Sequence, residues 1–168
     1  MEQAGNGAEQ RRRAARVLAG AATAELDACW AAWPEPPAVD WLRSPEPGLV
    51  MVQGRIGGTG DRFNLGEATV TRATARLEGG GLAAPAVGTA YVLGSDTEHA
   101  GLAAIFTALL ADQATREAVL ARVIAPLEAA QLERDRAARD EARSTVVDFL
   151  TVARENAGAA AAEAGDGE

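Results

Sequence analysis

Lysine is absent from this sequence, and all 16 basic residues are arginines. That excludes Schiff-base chemistry and the phosphate-binding lysine of a P-loop within the chain. Cysteine and histidine occur once each, as Cys29 and His99. A disulfide framework is therefore excluded, as is any metal site made of His and Cys alone, and we expect no metal. Positive charge is in deficit, with a net charge of −8. This argues against a nucleic-acid partner, because phosphate contacts need net or local positive charge. No apolar run approaches the roughly 20 residues of a membrane helix, so no membrane partner is expected.

What is present suits one helix-rich domain: 168 residues, 48% hydrophobic, with Ala making up about a quarter. Two independent cores would each be small. Near the start, Arg11, Arg12 and Arg13 precede the Ala-rich stretch Ala14 to Ala24, which imitates a signal peptide. The imitation is weak, because Arg16 interrupts it and Val17 and Leu18 are its only strong hydrophobes. A helix is the better reading, and a cytoplasmic protein with one Cys is the expectation.

Along the chain, residues 1–8 and the Ala/Gly/acidic tail 157–168 read as disordered, leaving a single domain over 9–156. A first helix is expected from about Glu9 to Gly20, and a second behind Thr23 as N-cap, with Leu26, Cys29, Trp30 and Trp33 on one buried stripe. On that stripe Cys29 reads as inert core, and Trp30, Trp33 and Trp41 read as core or interface anchors. Strands follow at Val39–Arg43, Leu49–Ile56, Glu67–Leu77 and Val87–Leu93, joined by Gly-rich turns such as Glu78-Gly79-Gly80-Gly81. Such short connections leave no room for parallel crossovers. Ser95-Asp96-Thr97-Glu98 reads as a capping box before a helix with Leu102, Ile105, Phe106, Leu109 and Leu110 on one face. A further helix from Thr115 should break or kink at Pro126, and 128–143 should be a solvated helix with internal ion pairs. Thr145-Val146-Val147-Asp148 is a second possible capping box. The fold class is α+β: an antiparallel meander of three to four strands flanked by N-terminal and C-terminal helices.

The segment most suggestive of chemistry is Gly57-Gly58-Thr59-Gly60-Asp61-Arg62-Phe63-Asn64-Leu65-Gly66. It reads as a loop of about ten residues, whereas hairpin loops usually have two to five. Its glycines can turn consecutive N–H groups toward one point as an anion nest. Arg55 and Arg62 can clamp phosphate or carboxylate, and Thr59 and Asn64 add polar groups. The alternative is a long hairpin whose glycines merely allow positive φ. A Rossmann pattern fails, because Phe63 stands where the third Gly belongs and a strand follows. His99, near a helix start, is a candidate for a supporting catalytic role, or else a histidine bonded to backbone.

Gly48-Leu49-Val50 and the block Arg55-Ile56-Gly57-Gly58-Thr59-Gly60-Asp61-Arg62-Phe63-Asn64-Leu65-Gly66-Glu67-Ala68-Thr69-Val70-Thr71-Arg72-Ala73 closely resemble the signature of one family. This is the G subunit of the phosphonate carbon–phosphorus lyase system (PhnG), a subunit of α-D-ribose 1-methylphosphonate 5-triphosphate synthase. Leu93-Gly94-Ser95-Asp96, His99-Ala100, Ile124-Ala125-Pro126-Leu127 and Val147-Asp148-Phe149 match further, so the resemblance covers about residues 10–156. It implies a supporting role as a phosphonate displaces adenine from C1′ of MgATP. The implied partners are the H, I and J subunits of a core complex, most directly I, with the L protein as a functional partner. It implies MgATP as substrate of the complex and no cofactor bound by this chain alone. Within that frame the chain either contributes loop residues and His99 to a composite site or is a positioning adaptor, inactive in isolation. Outside it, a stand-alone α+β protein binding an anionic, phosphorylated metabolite is the alternative.

Overall fold

The computed structural model describes residues 2–144. Helices α1 (Glu2–Gly20) and α2 (Thr23–Ala31) precede strands β1 (Ala38–Arg55), β2 (Arg62–Glu78) and β3 (Ala86–Leu93). Helix α3 (Thr97–Ala111) follows, then a continuous helical run of α4 (Arg116–Val119), a π-helical turn over Leu120–Ile124, and α5 (Ala125–Ser144). The three strands form one antiparallel sheet in the order β1-β2-β3. The α+β meander is thus present, with three strands among the described residues.

The sheet has one covered face. Thr71, Ala73, Ala75 and Leu77 of β2 are buried and alternate with exposed or half-buried neighbours, and β3 alternates in the same way. Their inward side chains meet α3, which is buried nearly all round from His99 to Leu109 rather than on a single stripe. Its small residues Ala100, Ala103, Ala104 and Ala108 are what allow this. A methyl group on Gly88 would lie 2.2 Å from the Ala104 carbonyl oxygen and the Ala108 nitrogen, so the helix rides directly on the β3 backbone. Trp30 and Trp33 then close over Phe106 edge-to-face, with ring centroids 6.2 and 6.3 Å away.

Several expectations need correction. Helix α1 begins at Glu2, so residues 2–8, expected to be disordered, are helical. The two expected strands 39–43 and 49–56 are one long strand. Pro45 and Pro47 sit within β1, which is an edge strand and absorbs them with two register shifts. Pro126 does not end its helix. The π turn ahead of it, with the Ala125 N–H bonded to the Leu120 carbonyl, removes the conflict between the proline ring and the preceding turn. The ion pairs of α5 mostly reach other helices, Arg134 to Glu25 at 2.7 Å and Glu128 to Arg13. Ala22, not Thr23, is the N-cap of α2. The second capping box, the end of the domain at 156 and the tail 157–168 lie outside the described residues.

Candidate functional site

The ten-residue loop is not a loop for most of its length. β2 begins at Arg62, so Arg62, Phe63, Asn64, Leu65 and Gly66 are strand, and the turn is confined to residues 56–61. The ladder pairs Arg55 with Arg62, Gly54 with Phe63 and Gln53 with Asn64, whose side chains are bonded at 3.1 Å. Between Gln53–Asn64 and Val52–Gly66, Leu65 is an extra residue without a partner, a β-bulge that reverses the alternation. That reversal is why the segment does not read as a strand.

At the turn, the Ile56 carbonyl accepts from the Gly60 N–H at 2.8 Å, and the Ile56 N–H donates to the Asp61 carbonyl at 3.3 Å. Gly57 and Gly58 have φ of 58° and 81°, the left-handed region that makes glycine the natural choice there. Two N–H groups of the expected nest, those of Thr59 and Gly60, are therefore already engaged by the Ile56 carbonyl. Arg55 braces the turn by donating to the Gly60 carbonyl at 3.2 Å. The Arg62 side chain has no hydrogen-bond or ion-pair partner among the described residues, and Thr59 is exposed. Arg55 and Arg62 stand directly opposite one another across the strands, with Asp61 as the nearest acid in sequence. Like charges placed this way repel unless an anion or carboxylate joins them.

The tip lies at the end of a projecting arm. β3 pairs only with Val70–Leu77 of β2, so β1 from Leu49 and β2 up to Thr69 continue as two strands alone. At about 3.3 Å per residue the arm reaches roughly 25 Å beyond the three-stranded body. Leu49 and Met51 on one face are 65% and 53% exposed, and Val50 and Val52 on the other are 42% and 39% exposed. Phe63 and Leu65 share the Val50 face, because both would contact a side chain at Gly54.

His99 is elsewhere, in the first turn of α3 at the base of the arm. Its ring is buried and its Nε2 lies 2.8 Å from the Leu18 carbonyl, an acceptor, so Nε2 carries the proton. With Gln131 Nε2 donating to the Val17 carbonyl at 2.7 Å, it satisfies carbonyls left open at the end of α1. The cap of α3 is Asp96 rather than Ser95. Its carboxylate accepts from the His99 N–H at 2.9 Å and the Thr23 hydroxyl at 2.7 Å, which hold it below the usual carboxylate range. Asp112, unmarked in the sequence reading, accepts from the N–H groups of Ala83, Ala84, Ala114 and Thr115. Burial acts to raise its pKa, but these four donors outweigh that and lower it. An Asp two and three residues ahead of unpaired helix-start N–H groups was the available signal.

The remaining chemistry is sparse. Burial and then the Glu25 charge push the Cys29 thiol up, which leaves it protonated and inert at neutral pH. A groove of about 410 Å³ between Trp41, Pro45, Gly101 and Ile105 has Glu98 as its charged group, which disfavours an anion. Among the described residues no group of three or more His, Cys, Asp or Glu could hold a metal. Among the described residues no helix is long and apolar enough to cross a membrane.

The family model for "Phosphonate metabolism protein PhnG" matches residues 9–155. The chain belongs to the PhnG family. This PhnG-family chain is 48% identical over 151 residues to the alpha-D-ribose 1-methylphosphonate 5-triphosphate synthase subunit PhnG of Rhizobium meliloti (strain 1021). The match covers 88% of this chain and 91% of that protein. The arm, its bulge and its glycine turn are thus features of a PhnG-family chain, built from the same residues that carry the sequence resemblance.

Proposed function

We propose that this chain is a non-autonomous subunit of a ribose 1-methylphosphonate 5-triphosphate synthase. In that complex the phosphonate oxygen bonds to C1′ of MgATP as the C1′–N9 bond breaks and adenine leaves. The observation that carries the reading is the arm, two strands with apolar side chains on both faces and no packing of their own. An isolated two-stranded hairpin is marginal in water, so such an arm is built to be covered. The Thr23 hydroxyl is bonded to the Asp96 carboxylate, but that carboxylate caps α3 and the pair is used structurally. The exposed tip also cannot exclude the water that would compete at C1′. These features favour a positioning adaptor over a catalyst. Its partners are the H, I and J subunits, most directly I, with the L protein acting alongside, and the setting is cytoplasmic.

The opposed Arg55 and Arg62 support a second reading, in which the tip helps neutralise the triphosphate or the phosphonate within a partner's site. Co-expression with the I subunit followed by an adenine-release assay tests the proposal. The chain alone should release no adenine from MgATP and methylphosphonate, whereas the complex should. Turnover by the purified chain free of partners would overturn the subunit reading. Arg62→Ala separates the two roles. Loss of co-purification that higher partner concentration restores marks docking. Normal assembly with turnover reduced about tenfold, roughly 1.4 kcal/mol of transition-state stabilisation, marks substrate contact.

A further inference from the structure

The arm is apolar on both faces, and that limits how it can be covered. A surface laid against one side would bury Val50, Val52, Phe63 and Leu65 and leave Leu49 and Met51 in water, or the reverse. Only a partner that surrounds the hairpin removes both sets from solvent. The charge pattern adds the depth of the cleft. Along the sides of the arm the one charged residue is Glu67, opposite Met51 near the base; from there to Gly54 and Phe63 none is charged, whereas Arg55 and Arg62 face each other at the far end. The Arg62 side chain has no hydrogen-bond or ion-pair partner among the described residues, and the single carboxylate nearby, Asp61, leaves the tip positive in a protein of net charge −8.

We propose that residues 48–69 are an insertion arm that enters an apolar cleft of a different polypeptide, whose closed end carries carboxylates that receive Arg55 and Arg62. The proposal rests on the subunit reading above and specifies the surface and the chemistry of its partner. A second copy of this chain is the poorer occupant. Its groove of about 410 Å³ beside Trp41 and Ile105 suits a side chain or two rather than a two-stranded arm, and its groove of about 850 Å³ along α1 is lined by Arg12 and Arg16 against a single Glu9, the wrong sign for an arginine tip.

The test uses the full chain co-expressed with the other subunits of the synthase. A benzophenone amino acid replaces Met51 on one face, and in a second variant Phe63 on the other. Irradiation of the assembled complex should crosslink both positions to one and the same polypeptide, distinct from this chain. Crosslinks from one face only, crosslinks to a second copy, or none from either position in an assembled complex would each overturn insertion. The reversal Arg62→Glu, at a side chain that makes no bond within the described residues, should lower co-purification at least about tenfold without moving the melting temperature of the isolated chain. Undiminished co-purification would overturn the carboxylate end of the cleft. Failure of the unmodified chain to co-purify with any subunit would instead refute the subunit reading beneath the proposal.

Discussion

Replacing His99 by Ala separates a structural histidine from one that serves chemistry. In the structure the ring is 7% exposed, and its Nε2–H is donated to Leu18 near the end of α1. Truncation leaves a buried carbonyl without a donor, at about 1–3 kcal/mol. It also empties the space of an imidazole in the α1–α3 contact, so the loss should reach roughly 2–4 kcal/mol in all. For a chain of this size each kcal/mol lowers the melting temperature by about 2–4 °C, so a drop of about 5–15 °C is expected. Gln at this position offers an amide N–H to the same carbonyl and should recover part of the loss. The assay is a thermal melt of the isolated chain together with adenine release per assembled complex. Stability should fall while turnover per complex stays at the unmodified level. An unchanged melt with turnover reduced tenfold would refute the reasoning and return His99 to the chemistry.

Gly88→Ala should be among the costliest single methyl additions, about 3 kcal/mol or more, because the new atom meets the α3 backbone rather than a movable side chain; urea unfolding of the variant measures it. Asp96→Ala should cost about 1 kcal/mol and Ser95→Ala close to nothing, since Asp96 makes the cap bond; paired thermal melts distinguish them. The Asp96 and Asp112 carboxyls are both held below their ordinary range in the folded chain. The unfolded chain therefore takes up protons first, so stability is steady above about pH 4 and falls as the pH drops through the folded values, which acid titration followed by circular dichroism should show. Asp112→Ala should abolish its share of that acid dependence and destabilise the chain at neutral pH by roughly 3 kcal/mol, as four backbone donors lose their acceptor.

The parts of the fold visible in the sequence are those where one periodicity runs without interruption. Thr71, Ala73, Ala75 and Leu77 alternate cleanly with outward residues, and the sheet that they anchor was legible for that reason. The arm was not. Leu49-Val50-Met51-Val52 is apolar at every position, which conceals that successive side chains face opposite sides into solvent. The extra residue Leu65 then shifts the parity of β2 so that Phe63 and Asn64 cannot be assigned a face from spacing. Helix α3 read as a one-sided helix because Ala100, Ala103 and Ala104 bury without giving a strong hydrophobic signal. For His99 the missing information was a contact to Leu18, a residue 81 positions away in the chain. The arginine pair was legible as two residues, but their placement opposite one another depends on the hairpin register.

The distribution of apolar volume supports the partner-bound reading independently of the tip. Where α3 meets the sheet, the interior is built from Ala73, Ala75, Ala90, Ala104 and Ala108 around Gly88, and the backbones approach closely. Beside the buried Leu77, Phe106 and Leu109, a second set of bulky residues lies outside the core: Val50, Met51, Phe63 and Leu65 on the arm, and Tyr91 and Leu93, 63% and 78% exposed, on the uncovered face of β3. A free-standing domain under pressure for stability gains more by placing large side chains inside, where each fully buried one contributes about 1.5–3 kcal/mol. Phe106, Leu77 and Leu109 take that gain in the core, whereas the exposed side chains of the arm and of β3 take it only on association. Val70, the pairing partner of Leu93, also belongs to the strand that continues into the arm, so the uncovered sheet face and the Val50 side of the arm form one continuous surface. The salt-bridged set of Arg43, Glu46 and Arg72 lies across that surface, with the Glu46 carboxyl lowered first by Arg43 and then by Arg72. One carboxylate serves two arginines, so the set keeps one net positive charge, and a partner that covers this part of the surface must either supply a carboxylate there or leave the set at its rim.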